Sequence, residues 1–260
     1  MTFLVAICFM LLKKMKCVGK QRKHLKSLIS GPLTSFSYNE LSFATAKFTE
    51  RIGGGFGMVY KGVLKNGTMV VIKLLENTRQ GIDEFLAEVD NIGNIHHVNL
   101  VKLIDFCIDK RNKVLVYEYM SRGSLDKWIF HENSSFYITK GLAYIHDDCR
   151  QRIAHLDVKP QNVLLDDSFN AKISDFGLSK LINRDKSQVV TQMRGTLGYL
   201  AHEWQHSRIT VKVDINRFGI VMLEVITGRM VLDYRQPDSD EKRLSDIFDL
   251  TREDVQQHIE

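Results

Sequence analysis

Apolar and polar positions follow two different periods along this chain. The glycine-dense stretch 51–62 leads into a strand, and Met69-Val70-Val71-Ile72-Lys73 is a β-branched run that ends on a lysine. Asn66-Gly67 between them predicts a type I′ hairpin, because that pair tolerates positive φ at both central positions. The period then changes. Ile82, Phe85, Leu86 and Val89 recur at helical spacing and predict an amphipathic helix carrying Glu88. Farther on, Val163-Leu164-Leu165 and Ala171-Lys172-Ile173 read as short strands and Tyr137 to His146 as a helix. Ile220, Val221, Leu223 and Val225 run down a further helix to Gly228.

The first 26 positions differ from the rest. Thr2 to Leu12 is almost wholly apolar, and its eleven residues would span about 16 Å as a helix, half of a bilayer's hydrocarbon core. It has neither the basic start nor the small-residue cleavage site of a signal peptide. Lys13, Lys14, Lys16, Lys20, Arg22, Lys23 and Lys26 follow without an acid, a pattern that marks a cytoplasmic flank and suits anionic lipid. Ser27 to Asn39, with Gly31-Pro32, reads as a flexible linker.

That cluster changes how the charge is read. The chain of 260 residues carries +5, but the remaining 29 basic residues face 31 acidic ones, so the body stands at −2. This argues against a nucleic-acid-binding face. Cys8, Cys17, Cys107 and Cys149 are scattered without C-x-x-C spacing, which suits a reduced compartment rather than a disulfide or metal framework. A hydrophobic content of 44% is enough for a well-buried core in one or two lobes.

The chemistry is concentrated in His155-Leu156-Asp157-Val158-Lys159-Pro160-Gln161-Asn162 and in Asp175-Phe176-Gly177. Phosphoryl transfer needs a carboxylate to orient the attacking hydroxyl, and an amide plus a second carboxylate to hold a divalent ion against phosphates. Asp157, Asn162 and Asp175 are those groups at the spacing H-x-D-x-x-x-x-N then D-F-G. Upstream, glycines at 53, 54 and 57 let backbone N–H groups approach phosphate oxygens, and Lys73 has Glu88 as its natural partner. Each feature alone has a bland reading: a solvated lysine, one more helical charge, a flexible turn. Their joint order does not.

On these residues the chain resembles a eukaryotic protein kinase over roughly residues 36 to 255. Lys159-Pro160 is similar to the serine/threonine class. The stretches Ile95 to Leu103, Leu115 to Met120 and Gly123 to Asp126 resemble plant receptor-like kinases, and His155 to Tyr199 is most similar to the branch with S-domain (bulb-lectin-type) ectodomains. The resemblance implies an α+β, bilobal fold: an antiparallel N-lobe sheet with one helix, and a mainly helical C-lobe that is incomplete here. It implies a partial transmembrane segment at 1–12, a basic juxtamembrane linker at 13–47 and a kinase domain at 48–260, with lobes at 48–120 and 121–260. It further implies ATP with Mg²⁺ or Mn²⁺, Ser/Thr protein substrates, and a membrane-associated protein with a cytoplasmic kinase domain.

The resemblance also assigns roles. Asp157 orients the substrate hydroxyl, Lys159 neutralises the γ-phosphate, and Lys73 paired with Glu88 grips the α- and β-phosphates. Ile52, Gly53, Gly54, Gly57 and Val59 cover the nucleotide, Glu118 to Met120 bind adenine through their backbone, and Tyr117 stands at the gate. Asn162 and Asp175 hold the metal. Ser187 and Thr191 are candidate phosphorylation sites, and Thr196 lies beside the substrate strip.

Departures from the pattern are equally specific. The glycine loop is one residue short, so either Ile52 occupies the first glycine position or a spacer is missing. Between Trp128 and Gly141 about a dozen residues of the pattern are absent, which predicts a shortened helix at 137–146. Leu156 replaces the arginine that usually precedes the catalytic aspartate (a non-RD arrangement), Ala201-His202-Glu203 replaces Ala-Pro-Glu, and Asn216-Arg217 replaces an aromatic-serine pair, whereas Asp214, which in the pattern braces the catalytic-loop backbone, is retained. Glu203 loses the arginine partner expected in a C-terminal helix. Two functions from different classes follow: an active serine/threonine kinase, or a kinase-fold fragment that serves as a scaffold without transferring phosphate.

Overall fold

The computed structural model describes residues 36–54, 57–75, 78–93, 95–109, 112–128, 135–182, 189–190, 199 and 208–227. The apolar segment 2–12, the basic cluster 13–26, Gly55, Phe56, Ser187, Thr191, Thr196, residues 201–203 and Gly228 lie outside them. The described residues fall into two compact units, one running to His96 with Lys102–Tyr119, the other comprising His97–Val101 and the residues from Met120 onward. Among the described residues no helix is long and apolar enough to cross a membrane.

The first unit is a five-stranded antiparallel sheet in the order β1-β2-β3-β5-β4. Its strands are β1 (Arg51–Gly54), β2 (Gly57–Val63), β3 (Met69–Leu75), β4 (Leu103–Asp109) and β5 (Asn112–Glu118). Side chains alternate across it. Val70 and Ile72 point into a core with Cys107, Val114, Val116 and Leu41, the last carried by helix α1 (Tyr38–Ala44). The segment expected to be the end of a linker is therefore part of the fold from Phe36 onward. Its anchors are local and specific. Ser37 and Glu40 form a reciprocal capping box, the Glu40 N–H donating to Ser37 Oγ at 3.2 Å and the Ser37 N–H to Glu40 Oε2 at 3.0 Å. The Phe36 N–H donates to the buried carboxylate of Asp105 at 3.1 Å.

The opposite parity of β3 carries Lys73, which pairs across strands with Val59 and Leu115. Helix α2 (Arg79–Ile92) starts at Thr78, whose side chain accepts the Gly81 N–H at 3.1 Å. Its buried positions are Gly81, Glu84, Phe85, Glu88, Val89, Asn91 and Ile92, whereas Ile82 and Leu86 are half-buried. The inward face is thus turned from the predicted apolar stripe towards its acidic residues. The reason is the partner available to Glu88 on the sheet.

The β2–β3 connection differs from the type I′ expectation. Gly67 donates its N–H to the Leu64 carbonyl at 2.9 Å and is left-handed at φ +81°, while Asn66 keeps negative φ and its side chain accepts the Thr68 N–H at 3.0 Å. One left-handed residue closes the turn rather than two.

The second unit holds a three-stranded sheet, β6 (Gly123–Ser124), β8 (Val163–Leu165) and β9 (Ala171–Ile173), and a ribbon of β7 (Arg152–Ala154) with β10 (Lys180–Ile182). A second ribbon pairs β11 (Val189–Val190) with β12 (Arg208–Ile209). Helix α3 runs Ser135–Ala143 and continues as a π-helical turn over Tyr144–Asp148, so it both begins earlier and ends later than the predicted 137–146. Gly141 lies where α3 meets the backbone: a Cβ there would come within 2.9 Å of the Asn99 carbonyl oxygen. Helix α4 (Lys212–Thr227) buries Val213, Ile220 and Val221, but also Asp214, Arg217 and Glu224. Three charged residues on an inward face are costly unless each meets partners.

Candidate active site

In the first unit, Lys73 Nζ lies 2.7 Å from Glu88 Oε1, with the two side chains 10% and 1% exposed. Strand β3 supplies the cation from the middle of the sheet and α2 supplies the anion from the covering layer. A pair this buried is held by geometry, since neither charge can turn to water without dragging its element away.

The glycine-rich stretch occupies β1 and the start of β2. Ile52, Gly53 and Gly54 are exposed, Gly57 is buried and Val59 half-buried. The β1–β2 register shifts between Arg51 and Gly53, so Ile52 sits in a bulge. Gly57 is required for packing as well: a Cβ there would come within 2.9 Å of the Leu74 carbonyl oxygen. At the end of β5, Glu118 is anchored twice to Lys102. Its N–H donates to the Lys102 carbonyl at 3.1 Å and its Oε1 accepts the Lys102 N–H at 2.7 Å. The Tyr117 hydroxyl is buried with no hydrogen-bond partner among the described residues. Met120 opens the second unit, buried, with its carbonyl accepting the Gly123 N–H at 3.2 Å.

In the second unit the two motifs read from the sequence come together. The stretch 155–162 links β7 to β8, and Asp175 follows β9 by two residues. Ser174 joins them: its N–H and hydroxyl donate to the Asn162 carbonyl at 2.8 and 2.9 Å, and its own carbonyl is 2.9 Å from His155 Nε2. Because a carbonyl only accepts, Nε2 carries the proton, and Nδ1 is left to accept the Asp157 N–H at 3.2 Å. Burial holds the His155 ring well below the usual histidine range, against the pull of Asp214 and Asp157, which agrees with that neutral tautomer. The ring also stands edge-on to Phe176 at 4.6 Å between centroids.

The Asp157 carboxylate is held from several sides. Lys159 Nζ is 2.7 Å from Oδ2, Asn162 Nδ2 donates to Oδ2 at 2.9 Å and to the Asp157 carbonyl at 2.8 Å, and Arg217 Nη1 is 3.4 Å from Oδ1. With both acceptors on its amide nitrogen, Asn162 turns its carbonyl oxygen away from Asp157. Asp175 is half-buried at φ +64°, ψ +72°, a left-handed geometry that non-glycine residues keep only where the surroundings enforce it. One amide oxygen and one carboxylate fit the hard oxygen ligands that Mg²⁺ takes from protein when phosphates and water complete its shell. Among the described residues there is no group of three or more His, Cys, Asp or Glu arranged to hold a metal without such help.

Behind this loop stands Asp214. Its Oδ2 accepts the His155 N–H at 2.7 Å and lies 2.8 Å from His146 Nε2, and its Oδ1 accepts the Leu156 N–H at 2.8 Å. Burial pushes the Asp214 carboxyl up, but the hydrogen bond and charge of His146, with His155 and the Leu156 N–H, outweigh it and hold the group below the ordinary carboxylate range. Farther along α4, Glu224 accepts the Tyr199 hydroxyl through both oxygens at 2.8 Å. Burial and that carboxylate push the phenol up.

Sequence reading reached Lys73, Glu88, Asp157, Lys159, Asn162 and Asp175, and singled out Asp214. It missed Ser174, which has no motif, and His146, which reads as one polar position in a helix. Arg217 was visible only as a departure, with no signal that it would be buried.

Comparison with known proteins identifies the family. The protein kinase domain family matches residues 47–260. The chain is 43% identical to the G-type lectin S-receptor-like serine/threonine-protein kinase SD2-5 of Arabidopsis thaliana over 88% of its length and 31% of the relative's. It is 44% identical to the G-type lectin S-receptor-like serine/threonine-protein kinase SD2-2 of the same plant over 87% of its length and 30% of the relative's. It is 41% identical to the rust resistance kinase Lr10 of Triticum aestivum over 83% of its length and 37% of the relative's. The chain thus spans about a third of the length of these relatives. With a match across most of its length, the chain belongs to the protein kinase domain family.

Proposed function

We propose that this chain is the catalytic domain of a receptor-type protein serine/threonine kinase, transferring the γ-phosphate of ATP to Ser/Thr hydroxyls. The observation that carries the reading is the junction at Ser174, which ties the Asn162 backbone to the segment carrying Asp175 while Lys159 and Asn162 fix Asp157. Asp157 orients the acceptor hydroxyl and takes its proton as the bond to phosphorus forms and the bond to the ADP oxygen breaks. Lys159, now on Asp157 Oδ2, lies close enough to share its charge with an incoming γ-phosphate. Lys73, held by Glu88, binds the α- and β-phosphates. The backbone around Ile52, Gly53, Gly54, Gly57 and Val59 covers the nucleotide, and the backbone of Glu118 to Met120 binds adenine. Asn162 and Asp175 would hold Mg²⁺, with Mn²⁺ as substitute; when bound, the ion neutralises charge on the phosphates.

Leu156 makes this a non-RD kinase. The basic stretch 13–26 supports a membrane-proximal setting against anionic lipid, and the receptor-like names of the relatives support the same setting. The test is phosphate transfer by the purified chain to itself or to casein with Mg²⁺ and ATP, followed by phosphoamino-acid analysis. Phosphoserine or phosphothreonine should form, and Asp157→Asn should lower the rate at least about 100-fold. Folded protein that binds ATP but transfers nothing would overturn the proposal in favour of a scaffold.

A further inference from the structure

Arg217 is fully buried, and its guanidinium cannot discharge by losing a proton. Enclosing such a cation is costly unless counter-charges lie close. Among the described residues two do. Asp157 Oδ1 is 3.4 Å from Nη1, and Asp214 stands three residues earlier on the same helix. Burial draws the Arg217 pKa down while these two carboxylates draw it up, so they are its counter-charges.

Three consecutive loop residues meet this one turn of α4. Asp214 holds the backbone N–H groups of His155 and Leu156, and Arg217 holds the side chain of Asp157. The neighbouring position on the loop cannot do that work. Leu156 is 1% exposed and packs with Ala154, Leu178, Ile182, Ile209 and Val213. Among the described residues, Lys159 and Asn162 contact Oδ2 of Asp157 and Arg217 contacts Oδ1.

We propose that Arg217 is a positioning residue: from inside α4 it holds Oδ1 of Asp157, giving the catalytic carboxylate a fixed orientation in a loop whose preceding residue carries no charge. The proposal rests on the kinase reading for its effect on rate, but the pairing itself is a property of the folded chain. An acceptor hydroxyl approaches Oδ1 by its second lone pair, and misplacing the carboxylate slows transfer without changing the groups assigned to the nucleotide.

Two measurements on the full chain decide it. In the first, Arg217→Met should lower kcat towards casein about 10-fold with KM for ATP within about two-fold of wild type. Arg217→Lys, which restores the charge, should recover most of the loss. A kcat equal to or above wild type in folded Arg217→Met would overturn the proposal, the latter marking Arg217 as a brake.

The second measurement needs no activity. Asp157→Asn leaves the buried cation short of a counter-charge and should lower Tm by roughly 5 °C or more. Asp157→Asn combined with Arg217→Met should melt above the Asp157→Asn single variant, whereas strictly additive losses would overturn the pairing. An inactive wild type with a non-additive thermal cycle would sink the kinase proposal while upholding the Asp157–Arg217 pair.

Discussion

The Leu156 N–H donates to Asp214 Oδ1 at 2.8 Å, and Leu156 sits at φ +67°. A leucine in the left-handed region costs on the order of 1 kcal/mol or more, so the loop must be held there by something outside it. Asp214 is that support, because it takes the neighbouring His155 N–H as well and is itself oriented by His146. The apolar packing of Leu156 sets the other side of the balance.

Asp214→Asn tests this support. The amide can keep one accepting oxygen but must place an N–H₂ against a backbone N–H or against His146. Each buried mismatch costs about 1–3 kcal/mol, so a fall in Tm of roughly 5 °C or more is expected, with a matching loss of transfer rate. An unchanged melting temperature would show that the loop holds Leu156 by its own packing.

Acid should destabilise the fold in two stages. The folded His155 ring titrates below its ordinary 6.5, so the unfolded chain binds that proton first and stability falls as pH drops through about 6.5. The slope from one such group cannot exceed about 1.4 kcal/mol per pH unit. His97, lowered mainly by burial, adds with the same sign. Asp214, with its folded value below 3.8, contributes stability that is present above 3.8 and lost as pH falls from there through the folded value. Urea midpoints between pH 7 and 5 should decline more steeply for wild type than for His155→Gln. Equal slopes would mean that His155 is not buried neutral.

How far this was legible beforehand depended on the kind of signal. Lys73, Glu88, Asp157, Asn162 and Asp175 stand in a fixed order, and order survives without knowledge of the fold. Strands β8 and β9 were equally plain, being short strand-like runs bounded by polar turns. The inward face of α4 was not. Periodicity assigns charged residues to solvent, and nothing local tells that Arg217 and Glu224 will meet partners contributed by distant segments. The capping box at Ser37 and Glu40 was readable as Ser-x-x-Glu, but Gly31-Pro32 and the serines of 27–39 favoured a linker. The hairpin at Asn66-Gly67 formed, but not with a type I′ turn, because a five-residue connection fits the flanking register with only Gly67 left-handed.

The Lys73–Glu88 pair makes a prediction about stability that is separate from catalysis. Breaking one partner leaves a buried charge and should cost about 3–5 kcal/mol, whereas removing both with Lys73→Met and Glu88→Leu should cost far less. Chemical denaturation of the two single variants and the double would show it, with the double at least as stable as either single. Transfer should be lost in all three. A double variant as unstable as the sum of the singles would mean that the pair contributes shape rather than charge balance.

Tyr117 offers a substitution expected to stabilise. Its ring is buried on β5, between Val71 on one neighbouring strand and Leu103 on the other, and the hydroxyl has no hydrogen-bond partner among the described residues. Leaving such a group unpaired costs about 1–3 kcal/mol, and Tyr117→Phe removes it while keeping the ring. The expected result is a Tm raised by about 2–4 °C, as 1 kcal/mol gives in a domain of this size. The same variant separates two roles for the hydroxyl. If it waits for the nucleotide, Tyr117→Phe raises KM for ATP and cancels the thermal gain when ATP is present. If it is only a residual polar atom in the sheet, KM stays unchanged and the gain persists with and without ATP. A lower Tm without nucleotide would contradict both and show that the hydroxyl is already satisfied.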